Sequence, residues 1–118
     1  VGENKLEAIH KEVADMAYDI INKKGATFYG IGTALAFITK AILNNEHRVL
    51  PLSVPMDGEY GLHDIHIGTP AVVGRHGLEQ VIEMPLNADE QAKMEASAKQ
   101  LKEVMDKAFK ETGVKVRQ

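Results

Sequence analysis

Apolar residues at the start of this chain recur at the three- and four-residue spacing of one helix face: Leu6, Ile9, Val13, Met16, Ala17 and Ile20. Asn4 followed by Glu7 has the spacing of a capping box and predicts the helix start. Lys23 and Lys24 suit the negative end of the helix dipole, and Gly25 suits a C-cap. A second amphipathic run, through Ile38, Ala41 and Ile42, predicts a helix from Thr27 until Asn44-Asn45 ends it. The period then changes to two. Leu50, Leu52, Val54 and Met56 alternate on one face of a strand over 48–56, with Pro51 and Pro55 on the other. Each proline removes a backbone donor, so this strand is expected at a sheet edge or broken, with Pro51 and Pro55 unpaired or bulged.

Asp57-Gly58 is a hairpin signal. Ile65 and Ile67 mark a second strand, expected to bend at Pro70 before Ala71-Val72-Val73. A turn at Gly74-Arg75-His76-Gly77 leads to a third strand over 78–84. Asn87 and Glu90 have capping-box spacing again. The last helix carries Met94, Ala98, Leu101, Met105 and Ala108 on one stripe, with Phe109 beside it, until Thr112-Gly113 stops it. Helices over 4–23, 27–44 and 88–111 therefore flank an antiparallel sheet over 48–84, an α+β fold in one domain.

The charge pattern excludes several functions. A formal net charge of −3 without a basic block argues against nucleic-acid binding. No apolar run approaches the ~20 residues of a membrane span. With no cysteine, disulfides, thiol catalysis and thiolate metal sites are out. The first residues show no signal-peptide pattern and no initiator methionine, as expected of a processed chain or a piece of a longer one.

Candidate chemistry is sparse. Of five histidines, none pairs with another at the spacing of a helical zinc site, so no metal is expected. His63 and His66 point to opposite faces of a strand, and Asp64 with His66 reads as a surface contact. His10 reads as solvated, His76 lies in a turn, and His47 follows a helix end whose dipole favours an imidazolium. More informative is the run Lys24 to Ala34, with Gly25, Gly30 and Gly32. Glycine inside a helix costs about 1 kcal/mol relative to alanine, so something is expected to approach this backbone closely. A neighbouring helix would satisfy that requirement, and so would a ligand. Thr27 and Ile31, four apart, share one face and offer it a hydroxyl and a branched apolar group. Gly30-x-Gly32 lacks the preceding strand and third glycine of a dinucleotide fingerprint.

The stretch Ala17-Tyr18-Asp19-Ile20-Ile21-Asn22-Lys23-Lys24-Gly25-Ala26-Thr27-Phe28-Tyr29-Gly30-Ile31-Gly32 resembles the catalytic-domain helix pair of the L-lactate dehydrogenases. The resemblance continues through residues 38–46, Val49 to Val54, Asp57 to Gly61 and Asp64 to Val73, in order. It covers essentially the whole chain, as the C-terminal part of that family's second domain. It implies a lactate/malate dehydrogenase C-terminal-domain-like fold. It also implies an NAD-dependent interconversion of a 2-oxo acid and an L-2-hydroxy acid, in a cytoplasmic, homotetrameric enzyme of glycolytic fermentation. By the resemblance, Thr27 and Ala17 contact the substrate or shape its pocket, and Ile31 packs on the nicotinamide. The NAD-binding domain, catalytic histidine, its aspartate and the carboxylate-binding arginine belong upstream, so the 118 residues alone are expected to be inactive. The chain departs from the family pattern at Pro55 and at Gly74 to Gly77. A malate dehydrogenase and an L-2-hydroxyisocaproate-type enzyme share the pattern. A non-enzymatic helical interaction module is compatible with the bare residues.

Overall fold

The computed structural model describes residues 2–114. The elements follow as α1 (Glu3–Lys24), α2 (Phe28–Leu43), β1 (Arg48–Asp57), a single 3-10 turn (Glu59–Gly61), β2 (His63–Gly74), β3 (Gly77–Val81) and α3 (Ala88–Thr112). This is the expected α+β order. The described chain divides into two compact units at Lys40/Ala41.

The first unit is helical. α1 starts from Gly2 with no side-chain cap, so the Asn4–Glu7 box does not form; Asn4 lies within the helix. The other end is as expected: Gly25 takes φ 74° and its N–H donates to the Ile21 carbonyl at 2.7 Å. α1 buries none of its residues, and the stripe of Leu6, Ile9, Val13 and Met16 is exposed. Among the described residues no single helix is long and apolar enough to cross a membrane; α1 and α2 reach that composition only as a pair bent by 114°.

The second unit is a meander in the order β1-β2-β3, both pairs antiparallel, with α3 packed on β2. Val54, Met56, Ile65, Ile67, Ala71, Tyr60 and Ala98 form the core, with Leu52, Leu62, Leu86 and Met94 packed against it. Alternation put the right residues inward on both long strands. β1 is the edge strand, but it is not broken at its prolines. Pro51 and Pro55 stay in register, opposite Pro70 and His66, and the only slip comes after Met56. Residues of equal parity aim their backbone groups to the same side, so both missing donors fall on the open edge, where the ladder loses nothing.

Pro70 corrects the sequence reading of β3. β2 runs through it without ending, although it is the central strand. The Pro70 carbonyl accepts from Ile82 N–H at 2.9 Å, just past the end of β3. The reciprocal bond needs a proline N–H that does not exist, so β3 stops at Val81 rather than residue 84. The orphaned Ile82 carbonyl accepts instead from Thr69 Oγ1 at 3.0 Å. Thr69 Oγ1 in turn lies 2.8 Å from the Tyr60 hydroxyl, which accepts from Met84 N–H at 2.8 Å. A proton-ordered chain results: Met84 N–H to Tyr60, Tyr60 to Thr69, Thr69 to the Ile82 carbonyl.

The Asp57-Gly58 hairpin is longer than a two-residue turn. Gly58 takes φ 106°, its N–H donates to the Leu62 carbonyl at 2.9 Å, and the 3-10 turn fills the loop. Tyr60 sits there at φ 55°, a strained value for a bulky residue. Three contacts hold it: its N–H donates to Glu83 Oε1, its carbonyl accepts from Gln91 Nε2, and its hydroxyl joins the chain above. In the same loop Glu59 accepts from Asp57 N–H at 2.6 Å. That bond chiefly, with its own backbone N–H and nearby His63 adding, holds its carboxyl below the usual glutamate value. Stabilisation from a depressed carboxylate is present above its unfolded pKa and disappears as pH falls through the folded one. A carbon-detected NMR titration is expected to place the Glu59 midpoint below that of a glutamate in an unstructured peptide, and Glu59→Gln to remove the acid-side change in loop shifts.

α3 begins as expected. Asn87 Oδ1 accepts from Glu90 N–H and Glu90 Oε2 from Asn87 N–H, each at 2.9 Å, a complete capping box. Its stripe is covered unevenly: Met94 and Ala98 face the core, Leu101 is exposed, and Met105 and Phe109 are half-buried.

Candidate functional site

The helix–turn–helix of the first unit carries all three residues singled out above. Gly25 ends α1 in the left-handed region, which lets the chain reverse within three residues. Lys24 Nζ lies 5.0 Å from the centre of the Tyr29 ring, and the Phe28 and Tyr29 ring centres are 4.7 Å apart. A cation on an aromatic face contributes about 0.5–1 kcal/mol at an exposed site, so this clamp supports the bend without dominating it. Gly25→Ala is expected to destabilise the protein by roughly 1 kcal/mol, because alanine resists this positive φ. A urea melt of the full-length variant checks it.

Thr27 is the residue just before α2, half-buried, and its hydroxyl has no hydrogen-bond partner among the described residues. Ile31 lies one turn on in α2 and is 59% exposed. Ala17 is exposed on α1. The three therefore lie on the two arms of one bend, and nothing in the unit covers Ala17 or Ile31.

The glycines separate the two physical readings of this segment. A Cβ built on Gly30 or Gly32 would meet nothing within 4 Å. Within the first unit no described residue comes that close, so packing of α1 on α2 does not explain the two glycines. What remains is an open backbone surface flanked by a free hydroxyl and an exposed branched side chain. Such a surface fits a flat, uncharged ring lying on Ile31 and a small polar group near Thr27.

The histidines gather no constellation. His10, His63, His66 and His76 are exposed, except that His63 Nδ1 lies 3.9 Å from Asp57 Oδ1. Asp64 is the extra residue of the bulge opposite Met56/Asp57, at φ 54°, and makes no ion pair with His66 among the described residues. His47 differs from expectation: its Nδ1 is 2.5 Å from Glu79 Oε2 on β3, so it ties the α2–β1 link to the sheet rather than resting on a helix dipole. The Glu79 carboxylate occupies the space a side chain on Gly74 would need, its nearest atom 2.2 Å from an added Cβ. The sequence offered no signal for that pair, because residues 47 and 79 meet only through the sheet register.

Solved structures share this architecture. The minor L-lactate dehydrogenase from Enterococcus mundtii, in a ligand-bound form, is 42% identical with a TM-score of 0.85, over 91% of this chain and 34% of that one. The malate dehydrogenase from Salinibacter ruber is 34% identical with a TM-score of 0.86, over 97% of this chain and 38% of that one. The fold is thus one that dehydrogenases of both names contain as about a third of their length. The description "lactate/malate dehydrogenase, alpha/beta C-terminal domain" matches residues 1–112, and the chain belongs to that family. Among curated relatives, L-lactate dehydrogenase 1 from Lactobacillus acidophilus is 89% identical over 116 residues, and L-lactate dehydrogenase from Lactobacillus helveticus is 84% identical over 116. The chain spans 36% of the length of each.

Proposed function

We propose that this chain forms the substrate side of an NAD-dependent L-lactate dehydrogenase, a cytoplasmic homo-oligomer that interconverts pyruvate and L-lactate in fermentation. The observation that carries this reading is the 89% identity to an L-lactate dehydrogenase across 98% of the chain. Identity to the malate dehydrogenases of the same fold is far lower, 30% and 34%.

In this reading Thr27 places its unpartnered hydroxyl against the 2-oxo acid, and Ala17 leaves room for the substrate side chain. Ile31 covers one face of the nicotinamide and keeps water from it. The nicotinamide, when bound, supplies or takes up the hydride. The residues here fit only that ring: Ile31 is exposed beside two open glycines, while the chain has no dinucleotide fingerprint. The dinucleotide cradle and the proton donor are assigned to an NAD-binding domain outside these 118 residues. The exposed apolar stripe of α1 is consistent with cover from that domain or from another subunit.

Two assays on the full-length protein test the reading. Pyruvate-dependent NADH oxidation is expected from it and not from residues 1–118 alone, which lack groups that must be held within reach of the reacting carbonyl. Thr27→Gly is expected to raise KM for pyruvate about tenfold, since a lost hydrogen bond to a charged substrate is worth about 1.5–3 kcal/mol, and to shift preference toward bulkier 2-oxo acids. NADH oxidation by the 118 residues alone, or an unchanged substrate preference in the variant, would overturn the assignment.

A further inference from the structure

A cavity of about 350 Å³ lies in the second unit, between the start of β2 and the middle of α3, and the dehydrogenase reading does not use it. Its floor is firm and apolar. Ile65 and Ala98 are buried members of the core, and Leu62 packs against them. The space exists because the α3 residue over Ile65 is an alanine, in a stripe whose neighbours are Met94 and Leu101. Lys99 and Lys102 form one wall. Elsewhere on α3, Lys93 pairs with Asp89 at 3.1 Å and Lys107 with Glu111 at 4.0 Å, while Lys110, outside the cavity, makes no ion pair among the described residues. Lys99 and Lys102 have no carboxylate within 4.0 Å among the described residues. The one acid on the wall, Glu95, accepts from Gln91 Nε2 at 2.9 Å. An apolar floor, two lysines without a carboxylate partner, and a volume at the lower end of small-molecule sites define one kind of ligand.

We propose that this corner binds a small amphiphilic anion, with a carboxylate or phosphate head on Lys99 and Lys102 and a short aliphatic tail on Leu62, Ile65 and Ala98. The site shares no residue with the Ala17, Thr27 and Ile31 surface, and the proposal stands independently of the reaction assigned there. The two head groups are separated by the probes.

The test is isothermal titration of the full-length protein with hexyl phosphate, hexanoate and inorganic phosphate. The expected result is saturable binding of the hexyl probes at one site per chain, with inorganic phosphate weaker because it leaves the floor uncovered. Lys99→Glu with Lys102→Glu is expected to weaken binding at least about tenfold, since two exposed charge contacts are lost and two repulsions added. Lys99→Arg with Lys102→Arg is expected to bind within about twofold of the parent, as both charges are kept. The two lysines are exposed, so neither change threatens the fold. Absence of saturable binding, equal binding by the charge-reversed variant, or full displacement by pyruvate would overturn the proposal; displacement would place the probe in the substrate pocket.

Discussion

Replacing Ile31 with asparagine in the full-length protein is expected to lower kcat/KM for NADH-dependent reduction by roughly tenfold to a hundredfold. The isoleucine is 59% exposed in the chain, so its replacement should spare folding. Its proposed work begins when a ring covers it. Covering an isoleucine side chain is worth about 1.5–3 kcal/mol. Pressing an unpaired amide against an apolar ring costs about 1–3 kcal/mol more. At about 1.4 kcal/mol per factor of ten, the first amount alone gives about tenfold or more and the second about fivefold or more. The split between kinetic constants tells where the loss falls. A raised KM for NADH with unchanged kcat means that Ile31 only binds the ring. A lowered kcat with the primary deuterium isotope effect raised toward its intrinsic value means that it also positions the hydride transfer. Parent-like kinetics, with an unchanged thermal midpoint, would remove Ile31 from the site.

The second large effect is on stability. Tyr60→Ala in the full-length protein is expected to lower the free energy of unfolding by about 3–5 kcal/mol, the range for removing a buried aromatic ring. Tyr60 is 5% exposed within the core cluster, and its hydroxyl stands between Met84 N–H and Thr69 Oγ1. Tyr60→Phe isolates the polar part. It leaves the Met84 N–H without its acceptor, at about 1–3 kcal/mol. Thr69→Val should cost no more than this, because the Ile82 carbonyl then keeps only the longer contact from the Tyr60 hydroxyl, at 3.4 Å. The effects of Tyr60→Phe and Thr69→Val should fall short of additive in the double variant, since both break one chain of hydrogen bonds. Urea titration of the four proteins measures this. Additive losses would show that the two hydroxyls act separately.

Much of the architecture can be read from spacing alone. The helix limits came within a residue of the predicted ones at α1, α2 and α3, because Gly25, Asn45 and Gly113 interrupt the apolar period where the backbone must turn. Alternation placed Val54, Met56, Ile65 and Ile67 inward, since the pleat has a period of two and only one register buries them. The family was legible from the ordered run of motifs, and the candidate site from four-residue spacing and two glycines. Local signals failed where a partner distant in sequence intervenes. Pro70 looked like a bend, but its missing donor matters only because Ile82 lies opposite, where Thr69 replaces it. His47 looked like a helix-end histidine until the sheet brought Glu79 to it. The Asn4–Glu7 box had the right spacing but lost to a helix whose N-cap is Gly2, two residues earlier.

Local chemistry thus settled the elements and most of their faces, because helix and strand periods are properties of neighbouring residues. Tertiary structure settled which of those faces is covered. α1 has a regular apolar stripe and buries none of it, whereas the similar stripe of α3 reaches the core at Met94 and Ala98. Periodicity states that a face is apolar; only packing states what, if anything, lies against it. The open backbone at Gly30 and Gly32 and the cavity beside Ala98 are likewise visible only in three dimensions, since each is defined by atoms that are not there.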